Sequence, residues 1–548
     1  MKKIGFISFL MILMIPALGQ DNWEEDVNEL EDVQVEIVKD REIILPKASR
    51  SYEKVPPQPV VGNDEDLEYS FQNFNFEVPP LEFKLRPLKT KAEPLSKLYS
   101  GYLKAGFGNY VTPFAEGYFG NKRDKRYNYG IHLKHLSSAK GPIDEENSGV
   151  GVSSAELRGK IFGRKMALGS KVYYANRRNH YYGYDSSVSV DESDIRHDFN
   201  QLEVGISAES VDTPIDYELD FDYKYINDNY YLKENEIQVG IGASGELGRE
   251  GLLRFKSKMS FLNQGDSSFD QHNRLLVEVI PQYSFDISDF AITAGVNFTY
   301  ANDTLGQLSD FRIYPAIEAK YKLSKDVQVN LTFGGNTIEN SYRELSIHNA
   351  FIGADQPLYF TNKTFDAGIN LTATLVSKLT LNTGLVYSTF KNRLFFLNDT
   401  LNMDQFKIVY DTGNASQTNI FARLNYLAGE KVNISLTGDY FVYGMDVLSE
   451  AWHRPQYSVG LSGNFNIYKK LLLRTNLTLL GGIKAQNGIG EVITLDPVID
   501  LGAQLEYLFS KRFSAFVEFN NILNQEYQLL NRYPVKGIQV LGGVSYSF

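Results

Sequence analysis

The sequence predicts an all-β protein: a transmembrane antiparallel β-barrel of about 22 strands with an extended periplasmic N-terminal arm. Three observations lead to this prediction. The chain opens with an export signal, apolar and polar side chains then alternate with period two, and short polar turns alternate with long connections. Alternation gives each strand one apolar and one polar environment. Short turns at one rim and long loops at the other are typical of bacterial outer-membrane barrels.

Residues 1–19 are expected to be a cleaved secretory signal peptide. Two lysines precede an apolar run over residues 4–15, and a small-residue pattern follows at residues 17–19. The apolar run is too short to span a membrane as a helix, and no later stretch approaches the length that a helical span needs. The sequence therefore predicts export without membrane-spanning helices.

Residues 20–97 are expected to be a periplasmic arm, first acidic and then proline-rich. The acidic part reads "DNWEEDVNELEDVQVEIVKD", and eight of the 18 prolines lie in the remainder of the arm. Proline fixes φ and removes a backbone donor, so the arm should be extended or irregular. An acidic run of this kind is usually solvated, but it could also bind a basic partner protein.

The barrel is expected to occupy residues 98–548. In "LLLRTNLTLL", leucines alternate with Arg474, Asn476 and Thr478. Short polar turns such as "KLSKDV" and "LAGEKV" alternate with long connections such as "KNRLFFLNDTLNMDQFKIVYDTGNASQ". An even number of strands places both ends of the barrel at the periplasmic rim, where an exported arm must lie.

The last strand is expected to close the barrel against the first. In "GIQVLGGVSYSF", Val544, Tyr546 and Phe548 share one face, and "GYLKAGFGNY" at the start of the barrel is the natural partner. A barrel has no unpaired edge only when these two strands pair. Tyr546 and Phe548 should then face lipid at the periplasmic interface.

The segment "FVEFNNILNQEYQLLNRYPVKGIQVLGGVSYSF" resembles the C-terminal end of TonB-dependent receptors, and its terminal aromatic strand resembles the signal that outer-membrane assembly machinery binds. "KLYSGYLKAGFGNYVTPFAEGYF" is similar to the barrel start of a receptor-like family from the Bacteroidetes. The resemblance implies a receptor-type barrel in outer-membrane lipid. The residues that carry the C-terminal resemblance are Asn521, Asn524, Tyr527, Tyr533, Pro534 and Gly537.

The arm departs from the receptor pattern, because receptors carry an N-terminal plug domain of well over a hundred residues and only about 77 residues precede the barrel here. A lumen of this width needs a filling, which could be the arm, inward-folded long loops or another protein. "LEDVQVEIV" is similar to the box that binds TonB; alternatively it is a short strand that adds to a partner's sheet. The candidate partner-binding residues are Glu31, Asp32, Val33, Val35 and Ile37.

Composition and motifs exclude several kinds of chemistry. The net charge of −12 argues against nucleic-acid binding, and the absence of cysteine excludes thiolate chemistry. Residues 240–245 match a dinucleotide fingerprint but continue into a strand rather than a helix. His132 and His135 lie three apart on a strand and should point to opposite faces, so they cannot share a metal. We therefore expect no cofactor and no metal site.

Three functional hypotheses follow. The first is a plug-less receptor-like barrel that serves as a structural or gating subunit of an outer-membrane complex for protein assembly, export or surface-lipoprotein handling. It is based on the missing plug and predicts a periplasmic or membrane protein partner. The alternative is a TonB-dependent nutrient uptake channel. The third, an outer-membrane hydrolase, is motivated only by His197 beside Asp198, and we expect these to be solvated loop residues of a non-enzyme.

Overall fold

The computed structural model describes residue 70 and residues 98–548, except residues 123, 186, 249–250, 267–270, 304–307 and 355. The expected signal peptide and the candidate TonB-binding residues lie outside the described residues, as does nearly all of the expected arm. No helix in the described part of the chain is long and apolar enough to cross a membrane.

The described residues form strands almost throughout. Two short helices, α1 (Glu192–Ile195) and α2 (Tyr342–His348), and a 3-10 turn (Glu145–Ser148) lie in long loops. The strands are β1 (Gly101–Gly108), β2 (Thr112–Gly120), β3 (Tyr127–Ser138), β4 (Val150–Phe162), β5 (Met166–His180), β6 (Arg196–Ser210), β7 (Ile215–Asp228), β8 (Lys233–Leu247), β9 (Gly251–Gly265), β10 (His272–Ile287), β11 (Phe290–Asp303), β12 (Leu308–Ser324), β13 (Val327–Ile338), β14 (Thr361–Val376), β15 (Leu379–Lys391), β16 (Arg393–Asn398), β17 (Phe406–Asp411), β18 (Ala415–Ala428), β19 (Val432–Gly444), β20 (Tyr457–Ile467), β21 (Leu471–Gly481), β22 (Lys484–Gln486), β23 (Val492–Thr494), β24 (Val498–Leu508), β25 (Phe513–Asn520), β26 (Gln528–Leu530), β27 (Tyr533–Pro534) and β28 (Gln539–Ser547).

A single 22-stranded antiparallel sheet closes on itself, as the sequence predicts. Consecutive barrel strands pair with each other, and the last strand, β28, pairs with β1. Leu103 lies opposite Tyr546, and Ala105 lies opposite Val544. The hairpins β16–β17, β22–β23 and β26–β27 are outside this sheet. Closure pairs both edges, which is the condition for a sheet that spans a bilayer.

Apolar side chains cover the outer face of the barrel, and polar side chains line the inner face. Leu103, Phe107 and Ile313 are 59%, 61% and 60% exposed. On the inner face, Asn476 of β21 lies between Ser462 of β20 and Gly502 of β24. A soluble domain does not expose so much apolar surface, whereas a barrel in lipid does. The predicted alternation is confirmed.

The connections sort to the two rims. At the rim where β1 begins, the turns contain two to six residues, as at 288–289 and 121–126. At the opposite rim are all three extra hairpins, both helices and the longest connections. We call these the short-turn rim and the long-loop rim. Connections 109–111 and 229–232 at the long-loop rim are also short, so the sorting is strong but incomplete. The longest connections, all at the long-loop rim, are 139–149, 181–195, 339–360, 392–414, 445–456, 482–497 and 521–538.

The closing seam requires a glycine. A Cβ on Gly543 would overlap the carbonyl oxygen of Ala105 and lie 2.7 Å from the ring of Phe516, whereas a Cβ on Gly542 would have its nearest neighbour at 3.9 Å. Gly543→Ala should therefore push β28 away from β1 and destabilise the barrel by about 1–3 kcal/mol, as overpacking does. Urea unfolding in detergent measures this effect. Gly542→Ala is the matched control, and equal stability of the two variants would contradict the close approach.

Candidate functional site: the loop-closed mouth of the barrel

The long loops fold inward over the mouth and pack in several apolar clusters. We define the cap as loops 181–195, 339–360, 392–414, 445–456, 482–497 and 521–538. Apolar burial of this kind is what holds irregular loops in one arrangement. The largest core cluster also includes residues at the ends of the adjoining strands and consists of Tyr182, Phe199, Ile226, Leu232, Tyr342, Leu345, Ile352, Leu358, Leu394, Phe396, Phe406, Ile408, Leu530 and Tyr533.

Contacts within the cap cross the lumen. The ring of Tyr533 stacks on Phe351 with centroids 3.6 Å apart and meets Tyr182 edge-on at 4.8 Å. The hydroxyl of Tyr181 donates to the carbonyl oxygen of Ile352 at 2.9 Å. These residues follow β25, β13 and β5, which are widely separated around the 22-stranded ring. Loops from three sectors can meet only if they extend over the lumen, so the chain closes this mouth with its own loops.

A buried ion pair attaches α2 to strands β8 and β10 of the barrel wall. Arg274 Nη2 of β10 donates to Glu234 Oε2 of β8 at 3.2 Å, and both side chains are 1% exposed. Glu234 also accepts the backbone N–H groups of Tyr342 at 3.0 Å and Arg343 at 3.3 Å. Arg274 Nη1 donates to the carbonyl oxygen of Asn340 at 2.6 Å. A buried pair is stabilised when hydrogen bonds satisfy its remaining atoms. Here the loop satisfies both oxygens of Glu234 and Nη1 of Arg274, whereas Nε of Arg274 has no hydrogen-bond partner.

Two further wall residues hold the same loop. Arg177 of β5 donates from Nη2 to Ser346 Oγ at 2.7 Å and from Nη1 to Ser346 O at 3.0 Å. The hydroxyl of Tyr342 contacts Asp228 Oδ2 at 3.4 Å. Loop 339–360 therefore has attachments on β5, β7, β8 and β10, although its own ends belong to β13 and β14.

Asp411 joins two other loops of the cap. Its Oδ2 accepts the backbone N–H groups of Asp446, Val447 and Leu448, each at 3.0 Å. Its Oδ1 accepts the N–H of Gly413 at 3.1 Å, and the Asp411 residue is fully buried. Four backbone donors replace the water that a buried carboxylate loses. Loops 392–414 and 445–456 are thus held together.

His453 sits in the middle of the cap as a neutral imidazole. Its Nδ1–H donates to the carbonyl oxygen of Phe396 at 2.8 Å, and its Nε2 accepts the N–H of Asn531 at 3.3 Å. Burial lowers the pKa of His453 to about 4. Protonation would remove the acceptor that Asn531 needs, so the contact between loops 445–456 and 521–538 depends on the neutral ring.

The cap should therefore lose stability in acid. Because the folded pKa of about 4 is below the ordinary value of about 6.5, the contribution of His453 is complete above about pH 6.5, declines as the pH falls, and is lost below about pH 4. The full change is on the order of 3 kcal/mol. Trp452, which is 3% exposed, reports unfolding of the cap by fluorescence during urea titration.

This measurement requires Trp23→Phe, because Trp452 is then the sole tryptophan of the chain. His453→Gln should lose most of the pH dependence. His135→Gln is the control, since His135 Nδ1 contacts Ser153 Oγ at 2.8 Å on the opposite face from the lumen. A cap with equal stability at pH 7 and pH 4.5 would contradict the role of His453.

The receptor-like C-terminal residues give the last long loop its shape. Asn521 Nδ2 donates to the carbonyl oxygens of Gln525 and Lys536, both at 2.8 Å. Tyr527 OH donates to Asp500 Oδ2 at 2.8 Å. Asn524 Oδ1 accepts the N–H of Ile538, and Gly537 leaves room for the Asn524 side chain. The carbonyl oxygen of Pro534 accepts the hydroxyl of Tyr182, and Tyr533 belongs to the largest core cluster of the cap.

The other sequence candidates are placed as follows. Val544 and Tyr546 of β28, and Phe548 directly after it, are 46%, 45% and 38% exposed on the outer face. Their role as an assembly signal stays a prediction. His132 contacts Glu116 at 2.8 Å, and His135 faces the other side, as expected. Residues 240–245 lie within β8, which a short turn joins to β9.

The prediction that His197 is a solvated loop residue is wrong. His197 lies in β6 and is fully buried. Its ring nitrogens contact acceptors, the carbonyl oxygen of Ala350 at 3.2 Å and Asp228 Oδ2 at 3.0 Å. Asp198 points to the other face, where it pairs with Arg196 at 2.6 Å. The two residues do not form a dyad, because neighbours on a strand face opposite sides, and the ring is occupied by structural bonds.

Below the cap, the inner wall is mainly polar but unequally charged. The register assigns four acidic residues of β7 and three basic residues of β9 to the lumen, with glycines of β8 between them, whereas strands β13–β20 present mainly Asn, Ser, Thr and Gly. Such a wall suits a water-filled passage. The charged positions are Asp216, Glu218, Asp220, Asp222, Arg254, Lys256 and Lys258. No group of three or more His, Asp or Glu in the described part could hold a metal ion.

Fold, outer face and lumen define an outer-membrane β-barrel, and solved structures with this architecture agree. The chain is similar to the FrpB iron transporter from Neisseria meningitidis (F3-3 variant), with 12% identity, TM-score 0.65, and coverage of 83% of this chain and 82% of the other. It is similar to the siderophore receptor PirA from Acinetobacter baumannii, with 10% identity, TM-score 0.64, and coverage of 83% and 81%.

A third similar structure is the ferric-catecholate import receptor Fiu from E. coli K12, with 9% identity, TM-score 0.62, and coverage of 83% and 82%. No protein-family model matches the chain. No curated protein matches it either. At these identities the likeness is one of fold. The predicted resemblance to TonB-dependent-receptor-like outer-membrane barrels is confirmed at that level.

Proposed function

We propose that this chain is a receptor-type uptake channel of the outer membrane, driven by TonB and closed toward the cell exterior by its cap. The observation that carries the proposal is the cap itself, in which loops from separate sectors meet over a lumen lined with polar side chains. A purely structural barrel does not need a wide polar passage beneath a closed mouth. Similarity of fold to an iron transporter and to siderophore receptors supports the same function.

Uptake requires that the cap open and close. Besides its apolar contacts in the cap, loop 339–360 has polar, reversible attachments to the wall: Arg274–Glu234, Arg177–Ser346 and the contact of Tyr342 with Asp228. A ligand that binds the open arrangement more tightly would shift the population toward it. The arm is proposed to lie in the periplasm, where residues 31–38 would engage TonB by adding a strand to its sheet.

The proposal is tested in cells that lack the chromosomal copy of the chain. Because the similar proteins import iron or ferric catecholates, the probe is radiolabelled ferric enterobactin under iron limitation. The full-length chain should restore accumulation, and deletion of Glu31–Val38 should abolish it. Equal accumulation by the deletion variant would remove the TonB-driven mechanism, and equal accumulation without the chain would remove uptake of this ligand.

The complex-subunit hypothesis is the second proposal. It is based on the missing plug, and it is weakened because the chain's own loops, one of the three expected fillings, close one mouth of the barrel. Purification in mild detergent separates the two functions. Stoichiometric co-isolation of a second protein would favour the subunit, whereas a lone monomer that transports would favour the channel.

A further inference from the structure

Two arginines of the cap lie against the same aromatic ring. The guanidinium carbon of Arg393, at the start of β16, is 5.5 Å from the centroid of Phe395, and that of Arg454, in loop 445–456, is 5.9 Å from it. Arg393 also lies over Phe390 at 4.2 Å and Tyr443 at 5.6 Å. Both arginines are partly exposed. Two positive groups therefore share one aromatic pocket.

Neither guanidinium has an acidic partner within ion-pair distance among the described residues, unlike several other arginines of the barrel. Arg274 pairs with Glu234, and Arg423 contacts Asp439 at 3.8 Å. Arg393 donates from Nη2 to the amide oxygen of Gln417, but its buried Nη1 has no hydrogen-bond partner. A buried donor without an acceptor costs stability, so an acceptor is expected here.

Asp411 lies opposite Arg393 in the β16–β17 pair, but its carboxylate is already occupied by four backbone N–H groups. Asp411 offsets part of the positive charge of Arg393, so the two arginines together keep a net positive charge. Burial and the neighbouring Arg454 lower the pKa of Arg393 to about 9, and Arg454 likewise contributes to a lowered pKa of His348 at the end of α2. These three groups come from three different loops of the cap, and the charge of Arg454 disfavours positive charge on the other two.

The pocket faces the lumen. Phe390, Gln417 and Tyr443 belong to the inner faces of β15, β18 and β19, and the register places Ser388, Gln417 and Tyr443 in one row across these strands. Ser388 and Gln417 supply polar atoms, and Phe390 and Tyr443 supply ring faces. Arginine binds carboxylate and phosphate groups through paired N–H groups, and the two arginines beside this polar row supply such donors.

We propose that Arg393 and Arg454 form a binding site for an oxyanion, a carboxylate or phosphate group, carried by the molecule that passes through the barrel. That the anion belongs to a transported molecule rests on the proposed function, whereas the binding site itself is defined by the two arginines alone. An oxyanion would satisfy Nη1 of Arg393 and neutralise the pair. Because the two arginines come from different loops, its arrival or departure would also change how loops 392–414 and 445–456 attract each other.

The test is calorimetric titration of the purified full-length protein at pH 7 with inorganic phosphate and, separately, with citrate. Saturable binding of at least one probe is expected, and the probe that binds identifies a phosphate or a carboxylate ligand. Arg393→Gln and Arg454→Gln should each weaken binding about tenfold or more, because each removes a charge-assisted hydrogen-bonding fork. Arg454→Lys keeps the charge and loses the fork, so it should weaken binding less than Arg454→Gln.

Arg423→Gln is the matched control, since Arg423 lies on the same inner wall beside Asp439, and its affinity should stay within about twofold of wild type. Folding of each variant is checked by its mobility on unheated gels, and Arg454→Lys decides the question if a glutamine variant does not fold. Absence of saturable binding of both probes by the wild type, or an equal loss in Arg423→Gln, would overturn the site. Binding without any uptake in cells would overturn the proposed function and leave the site intact.

Discussion

Arg274→Ala should destabilise the mouth of the barrel by about 3–5 kcal/mol, the effect expected when one partner of a buried ion pair is removed. Glu234 would remain as a buried carboxylate 1% exposed, with only two backbone N–H groups as partners. The carbonyl oxygen of Asn340 would also lose its donor. Loop 339–360 should detach first, because Glu234 and Arg274 of the wall hold the backbone of this loop.

Hydrogen exchange of residues 339–360 in the purified barrel measures this effect directly. The amides of α2 should exchange faster in the variant, while those of the barrel strands stay protected. Arg158→Ala is the control, because Arg158 pairs with Glu156 but is 42% exposed, and exposed pairs contribute less than about 1 kcal/mol. The double variant Glu234→Gln with Arg274→Met should recover much of the loss. Equal protection of α2 in Arg274→Ala and wild type would show that the pair does not hold the loop.

Tyr533→Ala should have a comparable effect from a different cause. Tyr533 is 2% exposed and contacts Phe351, Tyr182 and Phe406. Removing a buried aromatic side chain costs about 3–5 kcal/mol, because apolar burial is lost and a cavity remains. Since the three neighbours belong to three loops, the cap should separate, and the barrel should conduct more ions in a planar bilayer.

The controls for Tyr533 distinguish packing from hydrogen bonding. Tyr533→Phe keeps the ring and removes only the hydroxyl that donates to the carbonyl oxygen of Asp404, so it should cost about 1 kcal/mol. Tyr468→Ala removes a tyrosine that is 93% exposed at the short-turn rim and should have no effect on conductance. An unchanged cap in Tyr533→Ala would mean that its core does not depend on this residue.

The barrel itself was predictable because its information is local. Strict alternation in "LLLRTNLTLL" assigns Arg474, Asn476 and Thr478 to one face. The register confirms this assignment, because Asn476 and Thr478 each lie opposite a polar residue on one neighbouring strand and a glycine on the other; for Thr478 these are Asp500 and Gly460. The pairing of Val544 and Tyr546 with β1 followed from the requirement that a spanning sheet leave no edge.

The cap was not predictable in the same way. Loop packing joins residues such as Phe351 and Tyr533, which are far apart in sequence and follow no period. One local feature does point to it: "RLFFLN" is an apolar run inside a long connection, and its last five residues are all buried in β16. A solvated loop has no reason for such a run. The resemblance at the C-terminal end pointed to Tyr533 and Asn521, and their contacts show that they shape a loop of the cap.

The central claim is that loops from separate sectors of the barrel meet over the lumen, and cross-linking tests it most directly. The chain contains no cysteine, so Asn398→Cys and Asn531→Cys can be introduced together without background. The two asparagine side chains meet between loops 392–414 and 521–538, with Asn531 Nδ2 donating to Asn398 Oδ1 at 3.2 Å, and replacing them leaves the aromatic rings of the cap in place. A short bismaleimide added to intact cells or to the purified barrel should join the two positions and give a gel band of altered mobility, while each single variant should give none. Efficient labelling of both cysteines without any cross-link would contradict the closed mouth.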